Sequence, residues 1–123
     1  MKLKNRIAII TGGGKGIGAE LSLKLASEGA KIIIAEMDVP NGELTAKKIR
    51  ENNGEAIVIK TNVADEDSVN NMANEAINVF GKIDILINNA GTRHINNILD
   101  HTKQQWDDML SVNLTGPYLC CKA

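Results

Sequence analysis

The sequence is short of several things, and most of these shortages exclude a class of protein. It has two cysteines, Cys120 and Cys121, side by side. A bridge between chain neighbours is strained, so no disulfide framework is expected, which fits a reducing cytoplasm. The two thiols read as small apolar side chains near the end of a helix. No apolar run approaches the ~20 residues that a membrane span needs. The basic start (Lys2, Lys4, Arg6) leads only into Ile7 to Ile10, a strand too short for the core of a signal peptide. Lys and Arg number 14 against 15 Asp and Glu, spread along the chain, so there is no electrostatic footprint for nucleic acid. Aromatic residues are scarce, with one Phe, one Trp and one Tyr.

What is present suits one domain. The chain has 123 residues, 43% of them hydrophobic, enough for a real core. Short apolar runs at Arg6 to Thr11, Lys31 to Glu36, Glu55 to Lys60 and Lys82 to Ile87 read as four strands. The first two are isoleucine-rich and do not alternate, as strands buried on both faces should be. Helical patterns separate them. Gly16 to Glu28 carries Ile17, Leu21 and Leu25 at four-residue spacing, with Gly29 as its cap. Asn41 to Asn52 puts Leu44 and Ile49 inward. Glu66 to Phe80 has Val69, Met72, Ala73, Ala76, Ile77 and Phe80 on one stripe, Asp65 as N-cap and Gly81 after it. A last helix starts near Thr102 and runs to Ala123. The alternation predicts an α/β fold, an open parallel sheet with helices on both faces and right-handed crossovers.

The stretch "TGGGKGIG", Thr11 to Gly18, lies between the first strand and the first helix and has five glycines in eight residues. At such a turn one glycine allows the tight bend, one lets backbone approach a pyrophosphate, and one lets helix pack close to strand. Gly12, Gly16 and Gly18 fit these needs, in the spacing T-G-x-x-x-G-x-G. The helix N-terminus then offers N–H groups and the positive end of its dipole to phosphates. Glu36, at the end of the second strand, follows Gly16 by 20 residues, close to the separation expected for a ribose-binding acid. The fourth strand runs into "NNAG", Asn88 to Gly91, which shares the crevice at the switch point of the sheet.

Thr11 to Gly18, Asn88 to Gly91 and Asn113 in "SVNLTG" together resemble the short-chain dehydrogenase/reductase family, over the whole chain. The resemblance implies a Rossmann-like, doubly wound sheet with strand order 3-2-1-4. It implies binding of NAD, with NADP as the other possibility, and hydride transfer to or from an alcohol or carbonyl carbon. By position, Thr11, Gly12, Gly14, Lys15, Gly16, Ile17 and Gly18 would hold the pyrophosphate side. Glu36 would meet the ribose hydroxyls and favour NAD, while Lys15 argues for NADP. Asn62 and Val63 would border the adenine; family members often have Asp where Asn62 stands, so that contact is expected to be weaker or rearranged. Asn89, Ala90 and Gly91 would pass beside the cofactor, and Asn88 would tie the fourth strand to its neighbours.

Trp106, Met109, Leu110 and Asn113 share one helical face by spacing, which puts Asn113 on an apolar stripe and Trp106 in the core. Pro117 has no N–H for the Asn113 carbonyl, so a kink beside Gly116 and a freed carbonyl able to hold a water are expected. In the family this Asn serves, through a water, in a proton relay to a lysine. The family also uses a Ser and a Tyr-x-x-x-Lys pair on a later helix. Tyr118 and Lys122 match that pattern by spacing, but on the helix of Asn113, and are read as a chance match. His94 reads as a solvated loop residue, and His101 as lying near a helix start without function. The expectation is a partial dinucleotide-binding domain over residues 1–123 without the catalytic half, inactive alone. Its intact form would be a cytoplasmic homo-oligomer. A non-enzymatic dinucleotide-binding or pairing module, and a complete oxidoreductase built on Tyr118, are the alternatives.

Overall fold

A computed structural model describes residues 1–123. Strand β1 (Ile7–Thr11) is followed by α1 (Gly16–Ser27), β2 (Lys31–Glu36), α2 (Val39–Glu51), β3 (Ala56–Lys60), α3 (Glu66–Phe80) and β4 (Ile85–Ile87). A 3-10 turn (Ile98–Asp100) leads to α4 (Lys103–Leu110), which continues through one π-helical turn (Ser111–Thr115) into α5 (Gly116–Lys122). The four strands pair in parallel in the order 3-2-1-4. Ile9 stands opposite Ile33 on one side and Leu86 on the other. This is the doubly wound sheet that the alternation of elements predicts.

The isoleucine runs are buried because both faces of β1 and β2 are covered. On one face Ile7, Ile9, Ile33 and Ile59 pack with Val69, Met72 and Ala76 of α3 and Leu119 of α5. On the other, Ala8, Ile10, Ile32 and Ile34 pack with Ala46 and Ile49 of α2, with Leu25 and Ala26 of α1 against them. Each fully buried isoleucine contributes roughly 1.5–3 kcal/mol relative to exposure. This core makes β1 a rigid base for the loops at its carboxyl end.

Local signals account for most helix ends. The Asp65 side chain accepts the N–H groups of Asp67 and Ser68, and Gly81 closes α3 in the left-handed region at φ 80°. Thr102 and Gln105 form a capping box at the start of α4. Helix α2 begins at Val39, earlier than the expected Asn41, because Asp38 caps it and Pro40 is tolerated in a first turn. Strand β4 is shorter than expected. The Asp84 carboxylate takes the Ile7 N–H at 2.8 Å and pairs with Lys82 and Arg6, fastening β4 to β1 where the ladder would otherwise continue. These contacts, the Lys82 hydrogen bond first, hold the Asp84 carboxyl down to about 2.

Several inward assignments fail, those on α1 and α2 because these helices meet the sheet through small residues. Helix α1 buries Gly18 and Ser22, so Ile17 turns outward, 75% exposed. Helix α2 buries Gly42, Thr45, Ala46 and Ile49, which leaves Leu44 outside. Ile77 and Trp106, both placed in the core by spacing, are also exposed. Cys120 is buried, and burial raises its thiol pKa, but Cys121 lies at the surface rather than packing as a small apolar residue.

Candidate functional site

The glycine turn rises from the end of β1 and is held on three sides. The Gly12 N–H donates to the Ala35 carbonyl of β2 at 2.8 Å. Its φ of 65° lies in the left-handed region, where glycine carries no steric cost. A Cβ on Gly18 would overlap the Gly12 carbonyl oxygen, so only glycine lets α1 start this close to β1. Gly14 lies against the first turn of α2, and its N–H donates to Glu36 Oε2 at 3.0 Å. Within the turn and the first turn of α1, the N–H groups of Lys15, Gly16, Ile17 and Gly18 donate to no atom of the chain. Four free donors therefore stand at the positive end of a 12-residue helix, an arrangement suited to an anion.

The loop after β4 joins the turn through Thr11. That residue is buried; its hydroxyl donates to the Ile87 carbonyl at 3.4 Å and accepts the N–H groups of Asn89 and Ala90, each at 3.0 Å. One donor and two lone pairs are all used. The Asn89 amide donates to the carbonyls of Thr11 and Gly12 at 3.1 and 3.2 Å. Asn89 thus makes the tie expected of Asn88, whose amide reaches only Cys121 Sγ at 3.5 Å. The difference lies in the path of the chain where it leaves β4, which one-letter neighbours do not reveal.

The two loops open a cleft of about 390 Å³ at the carboxyl ends of the strands. Gly12, Lys15 and Glu36 line one part of it, with Asn62 and Val63 beyond β3. Asn89, Ala90 and Gly91 line the part under β4. Thr11, Gly14 and Gly18 lie behind this surface, and Gly16 and Ile17 border a neighbouring groove between α1 and α2. Glu36 is 7% exposed and its carboxylate also accepts the Asp38 N–H at 3.3 Å, while Lys15 makes no ion pair. Asn62 is partly engaged within its own loop: its Oδ1 accepts the Ala64 N–H and its backbone N–H donates to Ser68 Oγ. Ala35, Met37, Thr61, Thr92 and Val112 also line the cleft and were not singled out from the sequence. All but Val112 sit at or just beyond a strand's carboxyl end, which was the available signal.

Asn113 reaches the site from the other side. Its Oδ1 accepts the Thr92 N–H at 2.8 Å and its Nδ2 donates to the Thr92 carbonyl at 2.7 Å. The residue is exposed, not buried on an apolar stripe as its spacing with Trp106 and Leu110 implied. The helix does not simply kink at Pro117. It widens over Ser111–Thr115, where the Gly116 N–H donates to Ser111, and Gly116 then packs on Val63 beside the cleft. Such single π turns recur at functional sites. Tyr118 and Lys122 do not form a pair: Tyr118 is exposed, and the Lys122 ammonium lies 3.5 Å from Glu66 on α3.

The cleft suits a dinucleotide: it has the Lys15 amide and a carboxylate at the end of β2 on its wall, with the other unpaired amides of the α1 N-terminus beside it, and a Cβ on Gly12 would crowd the Asn89–Ala90 loop that closes it. Comparison with known proteins identifies the family. The family model described as short chain dehydrogenase matches residues 6–123. A Thermotoga maritima protein named as an uncharacterized oxidoreductase is 38% identical over 98% of this chain and 47% of its own length. A Staphylococcus epidermidis 3-oxoacyl-acyl-carrier-protein reductase is 34% identical over 94% of this chain and 48% of its own. A variant of a Serratia marcescens short-chain dehydrogenase/reductase superposes with a TM-score of 0.93 at 30% identity, covering 99% of this chain and 50% of that one. The chain thus spans about half the length of the curated relatives it matches. A glycine turn over a parallel 3-2-1-4 sheet, joined by Asn89 to the loop after β4 and matched along nearly its whole length, places the chain in the short-chain dehydrogenase family.

Proposed function

We propose that this chain forms the dinucleotide-holding half of an oxidoreductase acting on a small alcohol or carbonyl compound. The observation that carries the reading is the set of free amides from Lys15 to Gly18 at the start of α1, beside a cleft lined by Gly12, Lys15 and Glu36 on one part and by the Asn89 to Gly91 loop on the other. A nicotinamide dinucleotide supplies hydride chemistry at such a site. Gly12, Gly14, Lys15, Gly16, Ile17 and Gly18 would hold its diphosphate, with Thr11 joining the turn to the loop. Glu36 would take the ribose hydroxyls, Asn62 and Val63 would border the adenine, and Asn89, Ala90 and Gly91 would line the nicotinamide side. Asn113 would contribute to proton transfer through its main chain while its amide secures Thr92. These residues include no lysine-tuned tyrosine, so the 123-residue chain alone is expected to give no turnover; its intact form would work as a homo-oligomer.

NAD is the preferred dinucleotide in this reading. The Glu36 carboxylate lines the cleft, fixed by two backbone N–H groups, and would repel a 2′-phosphate; the unpaired Lys15 acts in the opposite sense. Calorimetric titration with NADH and NADPH tests this. NADH should bind more tightly, and Glu36→Ala should narrow the gap. Tighter NADPH binding by the unmutated chain would overturn the preference, and binding of neither would overturn the dinucleotide reading.

A further inference from the structure

Helix α2 carries a buried hydroxyl that does not serve its own helix. Thr45 is 4% exposed, and its Oγ1 donates to the Gly14 carbonyl at 3.1 Å, 31 residues away in sequence. A mid-helix threonine ordinarily returns this bond to the carbonyl four residues earlier or presents it to solvent. Here it reaches the middle of the glycine turn. The contact is close by construction: a Cβ on Gly14 would lie 2.7 Å from the Gly42 nitrogen of α2. Glu36 takes the Gly14 N–H, so both polar groups of this one glycine are gripped, one from β2 and one from α2.

Peptide geometry gives the grip a consequence at the free amides. The Gly14 carbonyl and the Lys15 N–H belong to one planar trans peptide and point in opposite directions. Holding the carbonyl on Thr45 therefore aims the Lys15 N–H away from α2, and Lys15 N–H is one of the four unpaired donors. The preceding peptide is held at one end. Its N–H is on Glu36, while its carbonyl, that of Gly13, lies 3.4 Å from the Ser22 hydroxyl, whose single proton has a shorter bond to the Gly18 carbonyl at 2.8 Å. Two successive peptides of a glycine-rich turn, a conformationally permissive backbone, are thus held at Gly14 by two side chains from two elements, Glu36 of β2 and Thr45 of α2.

We infer that Thr45 is a positioning residue for diphosphate binding: its hydroxyl sets the Gly14–Lys15 peptide so that the turn's amides are aligned before a ligand arrives. The inference rests on the dinucleotide reading above and adds to it a residue outside the glycine motif and outside the cleft. Preorganisation of this kind raises affinity by removing an ordering cost that binding would otherwise meet.

The test compares Thr45→Val, which keeps shape and removes the hydroxyl, with Thr45→Ser, which keeps the hydroxyl. NADH affinity is measured by calorimetry, and ligand-free amide hydrogen exchange is followed over residues 12–18. Thr45→Val should weaken NADH binding about five- to tenfold, the loss of roughly one buried hydrogen bond. It should also speed exchange in the turn. Thr45→Ser should stay within about twofold of the unmutated chain in affinity, as expected when the bond is retained, with unchanged exchange in the turn. A Thr45→Val chain that binds as tightly as the unmutated one overturns the inference, as does a Thr45→Ser chain as weak as Thr45→Val. If the unmutated chain binds no NADH, the dinucleotide reading fails and the role in binding fails with it. Exchange then judges the grip itself: equal rates in the Val variant and the unmutated chain would show that Thr45 does not hold the turn.

Discussion

Asn113 and Thr92 are joined by two hydrogen bonds, the Asn113 amide pairing with the Thr92 backbone as one peptide group pairs with another. The pair spans 21 residues and ties the loop after β4 to the π turn of the last helix. Asn113→Ala removes both bonds, and Asn113→Asp keeps only the acceptor. Because the site is exposed, we expect Asn113→Ala to cost about 1 kcal/mol, with Asn113→Asp in between. Urea denaturation measures this, and an Ala variant as stable as the unmutated chain would refute the tie.

The glycines of the turn are not equivalent. At Gly18 a Cβ meets backbone, whereas at Gly16 there is open space and only the φ of 55° is special. Gly18→Ala should destabilise by about 3 kcal/mol, at the upper end for overpacking. Gly16→Ala should cost roughly 1–2 kcal/mol, the left-handed penalty. Equal losses in denaturant titration would contradict this geometry.

Asp84 makes the β1–β4 junction acid-sensitive. Its carboxyl is held down to about 2, chiefly by the Lys82 hydrogen bond and then by the Ile7 N–H. A depressed pKa means that the folded state favours the ionised form. The stabilisation is complete above the unfolded value of about 3.9 and fades as pH falls from there through the folded value. Denaturation midpoints should be flat in this respect above about pH 5 and fall between about pH 4 and 2. Asp84→Asn should be less stable at neutral pH and lose much of that acid dependence; an unchanged acid limb would exclude Asp84 as its source.

The outer side of the last helix predicts self-association. Trp106, Leu110, Leu114 and Tyr118 recur every four residues and are 54%, 39%, 67% and 61% exposed. Strand β4 pairs only with β1, so its other edge is open. Exposed apolar surface and an open strand edge both favour association. Light scattering after size exclusion should show dimers or larger species, with Trp106→Glu shifting them toward monomer. A sharp 13.3 kDa monomer at all concentrations would contradict the prediction.

The order of strands and helices, the parallel sheet and the place of the glycine turn were legible in the sequence because they depend on local periods and on residues with special backbones. Isoleucine runs without alternation mean strands covered on both sides, and Asp65 with Gly81 bounds a helix wherever it packs. Side-chain direction was less legible. Spacing alone turned Ile17, Leu44 and Trp106 inward, yet α1 and α2 meet the sheet through Gly18, Ser22, Gly42 and Thr45, because small residues let helices approach closely, and α4, which carries Trp106, buries no residue at all.

Which of two adjacent asparagines ties β4 to β1, which hydroxyl holds Gly14 and which backbone Asn113 grips were decided only by tertiary structure. Those contacts join residues 77 or 78, 31 and 21 positions apart. Each depends on how a loop leaves its strand, and a shift of one residue there exchanges Asn89 for Asn88. The sequence by itself determined that a glycine turn would face a crevice at the carboxyl ends of parallel strands. The packing of α1 and α2 on that sheet decided how the turn sits beside the crevice, through Gly18 against β1 and through the bonds of Glu36 and Thr45 to Gly14, since those contacts exist only once the elements are assembled.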